Sequence, residues 1–189
     1  MSTPYRDYGG APTQLARPID PGWDHLQGSP DAPVTLVEYG DYQCPFCGAA
    51  HPNVQAVQAA MGDDLLFAFR HFPLVEAHPF AEPAAEAAEA AGAQGLFWEM
   101  HDQLFTHQRA LEPEYLLLYA TTIGLDVDRF ATELATRTYA PRVIEHLQSG
   151  VASGVQGTPT FFVNGLHYQG SYEAPALLTV LREAAAQRA

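Results

Sequence analysis

The sequence predicts an α/β fold, and three observations carry that reading. Residues 34–39 (VTLVEY) and 65–72 (LLFAFRHF) are apolar, partly β-branched or aromatic runs bounded by Pro, Gly and Asp, and read as buried strands. Residues from about Phe80 to Gly154 are rich in Ala, Glu, Gln and Leu at helical spacing, with few strand signals. Strand character returns at residues 160–163 (TFFV), where Asn164-Gly165 is a two-residue hairpin signal. The predicted order is therefore β-α-β, a block of helices, then β-β-α.

Taken in order, residues 1–22 carry four prolines and read as an extended arm, ordered only where it docks on the core. Residues 25–28 form a short edge strand and residues 34–39 a buried one. A helix runs from Cys44 to about Met61 and ends in the Gly62-Asp63-Asp64 turn. Strand 65–72 is closed by Pro73. The helical block divides into an alanine-rich helix at 81–93 and a helix at 94–107 with an apolar stripe of Leu96, Phe97, Met100, Leu104 and Phe105. Shorter helices follow at 113–123 and 126–134, and a longer one at 138–153. The Ser149-Gly150 and Ser153-Gly154 pairs in the last of these mark close backbone packing or a frayed end. Strands 160–163 and 166–169 form the hairpin, and a helix over 173–187 closes the chain.

Composition excludes several functions. The formal net charge is -13, and all nine basic residues are arginine. Without lysine there is no Schiff-base chemistry and no P-loop. So acidic a chain makes nucleic acid an unsuitable partner, because that affinity rests on basic contacts to phosphate. No run approaches about 18 uninterrupted apolar residues, so no membrane span is expected. No signal peptide is read at the N-terminus, which makes the cytoplasm the expected location, or an exported setting if a leader was trimmed. Neither GxSxG nor a strand-flanked GxGxxG occurs.

The whole cysteine complement is Cys44 and Cys47, in Cys44-Pro45-Phe46-Cys47. The pair follows a strand and opens a helix, where unpaired backbone N–H groups and the helix dipole favour thiolate. Lowering a thiol pKa from about 8.5 to about 6 raises the thiolate fraction at pH 7 from a few per cent to about 90%. Cys44 is thus the expected nucleophile, and Cys47, one turn further in, the resolving thiol. Pro45 at the first helical position needs no N–H partner. Three other readings compete. A structural disulfide closing so short a loop gains only about 2 kcal/mol. Zinc needs four ligands and there is no second CxxC, so with His51 nearby a fourth would have to come from a scattered group; no metal is expected. An accidental pair of small buried hydrophobes is the third.

These residues resemble a known family. Strand, then Asp41-Tyr42-Gln43-Cys44-Pro45-Phe46-Cys47, then helix resembles the thioredoxin superfamily. The Cys-Pro-x-Cys form together with the long helical insertion resembles the DsbA-like thiol–disulfide oxidoreductases. Glu38, six residues before Cys44, Pro52, five after Cys47, and Gly157-Thr158-Pro159-Thr160 match further features of that family. So do Phe72-Pro73-Leu74 with His78-Pro79, and Phe97-Trp98-Glu99-Met100-His101-Asp102. The resemblance implies a thioredoxin-like fold with an inserted all-helical subdomain. Its parts would be an arm at 1–22, a thioredoxin-like domain at 23–75 and 156–189, and the helical insertion at 76–155.

The resemblance also implies roles. A cis Thr158–Pro159 bond would bend the chain beside the cysteines, and the backbone of Thr158 would pair with an extended substrate. Glu38, if buried, would have its pKa raised by desolvation and would carry the proton of Cys47; strand alternation argues instead that it faces outward. Phe46 stands where the best-known DsbA-like site has histidine. A less acidic Cys44 and a less oxidising couple are expected, with Phe46 offering substrate an apolar contact. The expected activity is thiol–disulfide exchange on protein or peptide thiols, with an unidentified redox partner and no cofactor beyond the dithiol. Two other classes fit the same residues: a thioredoxin-fold, glutathione-dependent isomerase or transferase acting on a small molecule, and a non-catalytic metal- or client-binding module.

Overall fold

The structure is a computed structural model and describes residues 14–187. Five strands form one sheet in the order β1-β3-β2-β4-β5, with β1 at His25–Gly28, β2 at Val34–Gly40, β3 at Leu65–His71, β4 at Thr160–Val163 and β5 at Leu166–Tyr168. Helix α1 covers Pro45–Met61, and a single 3-10 turn at Gly62–Asp64 leads into β3. The inserted helices are α2 (Ala81–Gly92), α3 (Phe97–Thr106), α4 (Pro113–Ile123), α5 (Val127–Ala135) and α6 (Ala140–Ala152), and α7 (Ala174–Ala186) closes the chain. The α/β class is as the sequence predicts.

Two compact units divide these elements. One contains residues up to 39, 49–70 and 149 onward; the other contains 40–48 and 71–148. The division differs from the sequence boundaries at 75 and 155, chiefly because the loop 40–48 goes with the helices. The reason lies in its hydrogen bonds, which run to residues 74, 78, 80, 101 and 108.

In the first unit, β2 lies between β3 and β4 and is buried at six of its seven positions. Such a central strand need not alternate. Glu38 is accordingly 2% exposed, so the outward-facing position suggested by alternation is not what the structure has. The β4–β5 hairpin turns on Asn164 (φ 48°) and Gly165 (φ 80°), the pair of positive φ values that a two-residue type I′ turn requires. His167, paired across the hairpin with Phe162, lies tilted against its ring with centroids 5.3 Å apart. Burial pushes its pKa below the usual histidine value. That contribution to stability is complete above the unfolded value of about 6.5 and is lost as pH falls from there through the folded pKa. Urea midpoints at pH 7.5 and 5.5 should therefore separate less for His167→Gln than for the wild type.

The arm's residues 1–13 lie outside the described residues. Its remainder is docked. The Leu15 amide donates to Gly165 (2.8 Å) and the Ala16 amide to the Ser153 hydroxyl (3.0 Å). Gly154, at φ 78°, ends α6, so the second Ser-Gly pair is a helix terminus and its serine an anchor. Arg70, fully buried, completes the attachment. Its five N–H groups donate to both carboxylate oxygens of Asp24 (2.7 and 3.0 Å), to the Tyr39 hydroxyl (3.0 Å), and to the carbonyls of Arg17 (2.9 Å) and Pro18 (3.2 Å). The guanidinium also lies over the Trp23 ring at 4.7 Å.

In the second unit, α2 packs against α3, α4 and α5. Seven of its alanines are buried, and small side chains permit that close approach. The same burial encloses Glu86 and Glu89, and each meets arginine: Arg137 bonds Glu86 (2.7 Å) and Glu82 (2.8 Å), and Arg142 bonds Glu89 (2.8 Å). Pro113 opens α4, and Gly124 (φ 84°) ends it. The Asp126 side chain caps α5 by accepting from the Arg129 amide at 3.0 Å.

Candidate functional site

The site is built on the loop that leaves β2. Phe72 N–H donates to the Gly40 carbonyl (2.8 Å), which fixes where the loop begins. Asp41 then organises it. Its carboxylate, with no exposed side-chain surface, accepts four hydrogen bonds. Oδ1 takes the amides of Gln43 (2.7 Å) and Cys44 (3.1 Å); Oδ2 takes the amide of Leu74 (2.9 Å) and Nδ1–H of His78 (2.8 Å). An aspartate three residues before Cys44 folds an Asx turn, and that turn aims the chain into α1. Tyr42, buried, places its hydroxyl 3.0 Å from His101 Nδ1 and its ring 4.8 Å from Phe105.

Cys44 occupies the position before the first helical residue. Its carbonyl accepts the Gly48 amide at 3.1 Å, the first bond of α1, and Pro45 follows at N1. No disulfide joins the two cysteines in this structure. Cys44 is 3% exposed and Cys47 has no exposure, so only the first offers any surface to an incoming group. The thiol of Cys44 stands at the positive end of a 17-residue helix, where an anion is favoured. Cys47 Sγ is 3.4 Å from the Asp41 amide, an N–H donor that stabilises a thiolate there. Phe46, between them, is 63% exposed.

One residue that sequence reasoning missed holds the loop from the far side. Gln108, in the segment after α3, donates through Nε2 to the carbonyls of Tyr42 and Cys44, both at 2.8 Å. A Cβ at position 48 would collide with this side chain, so glycine there is what lets Gln108 lie against the helix start. The glycine inside the first turn was the one available signal, since it costs about 1 kcal/mol against alanine in a helix. Gln43 ties the loop to α2 by accepting the Phe80 amide at 2.7 Å.

The other predicted site residues belong to the sheet unit. Glu38 is buried in β2. Thr158 and Pro159 precede β4, their peptide bond is cis, and the Thr160 hydroxyl closes the turn on the Gly157 carbonyl at 2.7 Å. The structure thus groups Cys44, Pro45, Phe46 and Cys47 on one loop and helix start, with Asp41, His78 and Gln108 added.

A second cluster of ligating side chains lies in the helical unit. His71, Glu89 and His146 bring one ligand atom each within 4.8 Å of one another, all buried. They come from positions far apart in sequence, so no motif shows them. Glu89 is held by His71 Nε2 and by Arg142, both at 2.8 Å, and the His71 amide donates to His146 Nδ1 at 3.2 Å. These bonds make it a charge-compensated core network, with the carboxylate already occupied on both oxygens.

A family model described as Thioredoxin matches residues 21–182. Among solved structures, BdbD from Bacillus subtilis in its oxidised form superposes with a TM-score of 0.82 at 23% identity, covering 92% of this chain and 98% of that one. A thioredoxin-like oxidoreductase from Silicibacter pomeroyi DSS-3 does so with a TM-score of 0.71 at 28% identity, covering 90% and 95%. Among curated proteins, the Na(+)/H(+) antiporter NhaA 1 of Salinispora arenicola is 50% identical over 170 residues, which is 90% of this chain and 26% of the antiporter. The chain thus spans about a quarter of the length of the curated relatives it matches. The family match over most of the chain, on a sheet and helical insertion arranged as in DsbA-like structures, shows that the chain belongs to the thioredoxin superfamily and has its DsbA-like fold.

Proposed function

We propose that this chain is a thiol–disulfide oxidoreductase that exchanges disulfides with protein or peptide thiols through Cys44 and Cys47. The observation that carries the reading is the pair itself: two cysteines at one helix start, the first with a small exposed surface and the second fully enclosed. In the reducing direction, the Cys44 thiolate attacks one sulfur of a client disulfide. A Cys44–client bond forms and the other client sulfur leaves as a thiolate. The Cys47 thiolate then attacks Cys44 Sγ, the mixed disulfide breaks, and the second client thiolate leaves. The client gains two electrons and the dithiol becomes a disulfide; the oxidising direction is the reverse. No group beyond the dithiol is needed for this chemistry. The family resemblance adds roles for Glu38, as proton carrier for Cys47, and for Thr158 and Pro159, in receiving the client backbone.

The antiporters' transport activity is not brought to this chain. No helix among the described residues is long and apolar enough to cross a membrane, and the reading concerns only the quarter of those proteins that the chain matches.

The test is trapping. Cys47→Ser should accumulate a mixed disulfide between Cys44 and a cysteine peptide disulfide, seen as a mass adduct released by dithiothreitol. Cys44→Ser should form none and should not reduce insulin. Full insulin reduction by Cys44→Ser sinks the reading. Glutathione bound without a mixed disulfide would favour a small-molecule isomerase or transferase instead, and zinc retained on purification with no titratable thiols would favour a metal-binding module.

A further inference from the structure

We propose that the cavity beside Cys44 is a subsite for a carboxylate of the client peptide, recognised by Arg109; the inference rests on the exchange reaction proposed above. The cavity, of about 530 Å³, is lined by Gln43 and Pro45 from the redox loop and by Phe105, His107, Gln108 and Arg109 from the end of α3 and the segment after it. Pro45 is the residue next to Cys44, so a group seated here lies within about one or two residues of the exchanging sulfur.

The polar groups around this cavity are mostly engaged with the protein. Gln43 Oε1 holds the Phe80 amide, Gln108 Nε2 holds two carbonyls, and His107 Nδ1 bonds the Gln103 carbonyl while its ring stacks on Tyr119 at 5.1 Å. Arg109 differs. Among the described residues, Arg17, Arg70, Arg129, Arg137 and Arg142 each pair with a carboxylate of the chain. Arg109 is exposed and has no such pair among the described residues, and Arg182, which shares that condition, lies on α7 in the other unit. Its planar guanidinium offers five N–H donors in the fork that fits a carboxylate with two parallel bonds.

Charge makes the placement informative. A chain of net charge -13 repels acidic peptides on average. Arg109, an exposed cation lining the cavity beside the redox loop, supplies positive charge where the client cysteine must arrive. The occupant it fits is a cysteine peptide with Asp or Glu within about two residues of the sulfur, with Phe105 and Pro45 supplying apolar walls for the intervening backbone.

The experiment compares two fluorogenic peptide disulfides that differ only in Glu or Gln two residues from the cysteine, at low and at 0.5 M salt. The wild type should exchange with the Glu peptide about three- to tenfold faster in kcat/KM than with the Gln peptide, and salt should reduce that ratio. Arg109→Gln should bring the ratio to about one, and Arg109→Glu should invert it. A ratio that is the same in wild type and Arg109→Gln overturns the subsite. Arg109 dependence confined to oxidised glutathione also overturns the peptide assignment. Absence of exchange with both peptides in the wild type overturns the oxidoreductase reading together with the subsite, which distinguishes the two failures.

Discussion

Asp41→Ala is expected to destabilise the protein by about 3–5 kcal/mol, because it leaves several donors without the buried carboxylate that accepts from them. The carboxylate has no exposed surface and accepts four hydrogen bonds, one of them from His78. Each bond to a charged acceptor is worth about 1.5–3 kcal/mol taken singly, but the four act together and do not add. Removing the carboxylate leaves the amides of Gln43, Cys44 and Leu74 without their acceptor in a site shaped to exclude water. The redox loop should lose its fixed geometry, and iodoacetamide should alkylate Cys44 at a changed rate even below the unfolding transition. Asp41→Asn separates the contributions. Its carbonyl keeps the Gln43 and Cys44 bonds, while its NH₂ meets the two donors Leu74 N–H and His78 Nδ1–H, so roughly half of the loss is expected. An unfolding free energy for Asp41→Ala, from urea titration, within about 0.5 kcal/mol of the wild type would contradict this role.

Arg70→Met should cost a similar amount for a different reason. All five guanidinium donors are used inside the sheet unit, and the Asp24 side chain opposite is itself fully buried. Methionine fills most of the volume but leaves Asp24 charged and uncompensated, at about 3–5 kcal/mol. It also frees the Arg17 and Pro18 carbonyls, so the docked arm should become sensitive to proteolysis near those residues. Arg70→Lys should recover little, because one ammonium cannot serve five acceptors in a planar fork. The double variant Arg70→Met, Asp24→Leu should regain part of the loss, since no buried charge remains. Equal stability of the single and double variants would show that the ion pair itself is not the source.

Much of the fold was legible because it rests on local chemistry. Asn164-Gly165 sets the hairpin, Pro113 and Gly124 bracket α4, and Asp126 caps α5, each through backbone preferences that neighbouring residues determine. Legibility ended where partners come from afar. Alternation alone points Glu38 outward and only the family resemblance placed it inside; it is buried because β2 is a central strand enclosed on both faces. The CxxC was plain in the sequence, but what holds it was not. Gln108 lies sixty-one residues beyond Cys47, and nothing near it marks an amide that bridges two loop carbonyls. Asp41 was visible as part of the motif, but its second pair of partners, Leu74 and His78, belongs to the segment after β3. Those long-range bonds also explain why the redox loop joins the helical unit.

If Cys44 and Cys47 form one reversible redox couple, the pair has a defined reduction potential. The protein is equilibrated in glutathione buffers of graded poise, quenched with a thiol reagent, and the oxidised fraction read by mass. A single two-electron transition from dithiol to Cys44–Cys47 disulfide is expected. Its midpoint should be less oxidising than the roughly -120 mV of the strongest oxidants, because Phe46 carries no charge to favour the Cys44 thiolate. Thiols that stay reduced across the whole series, or a stable glutathione adduct that never closes to the internal disulfide, would contradict it.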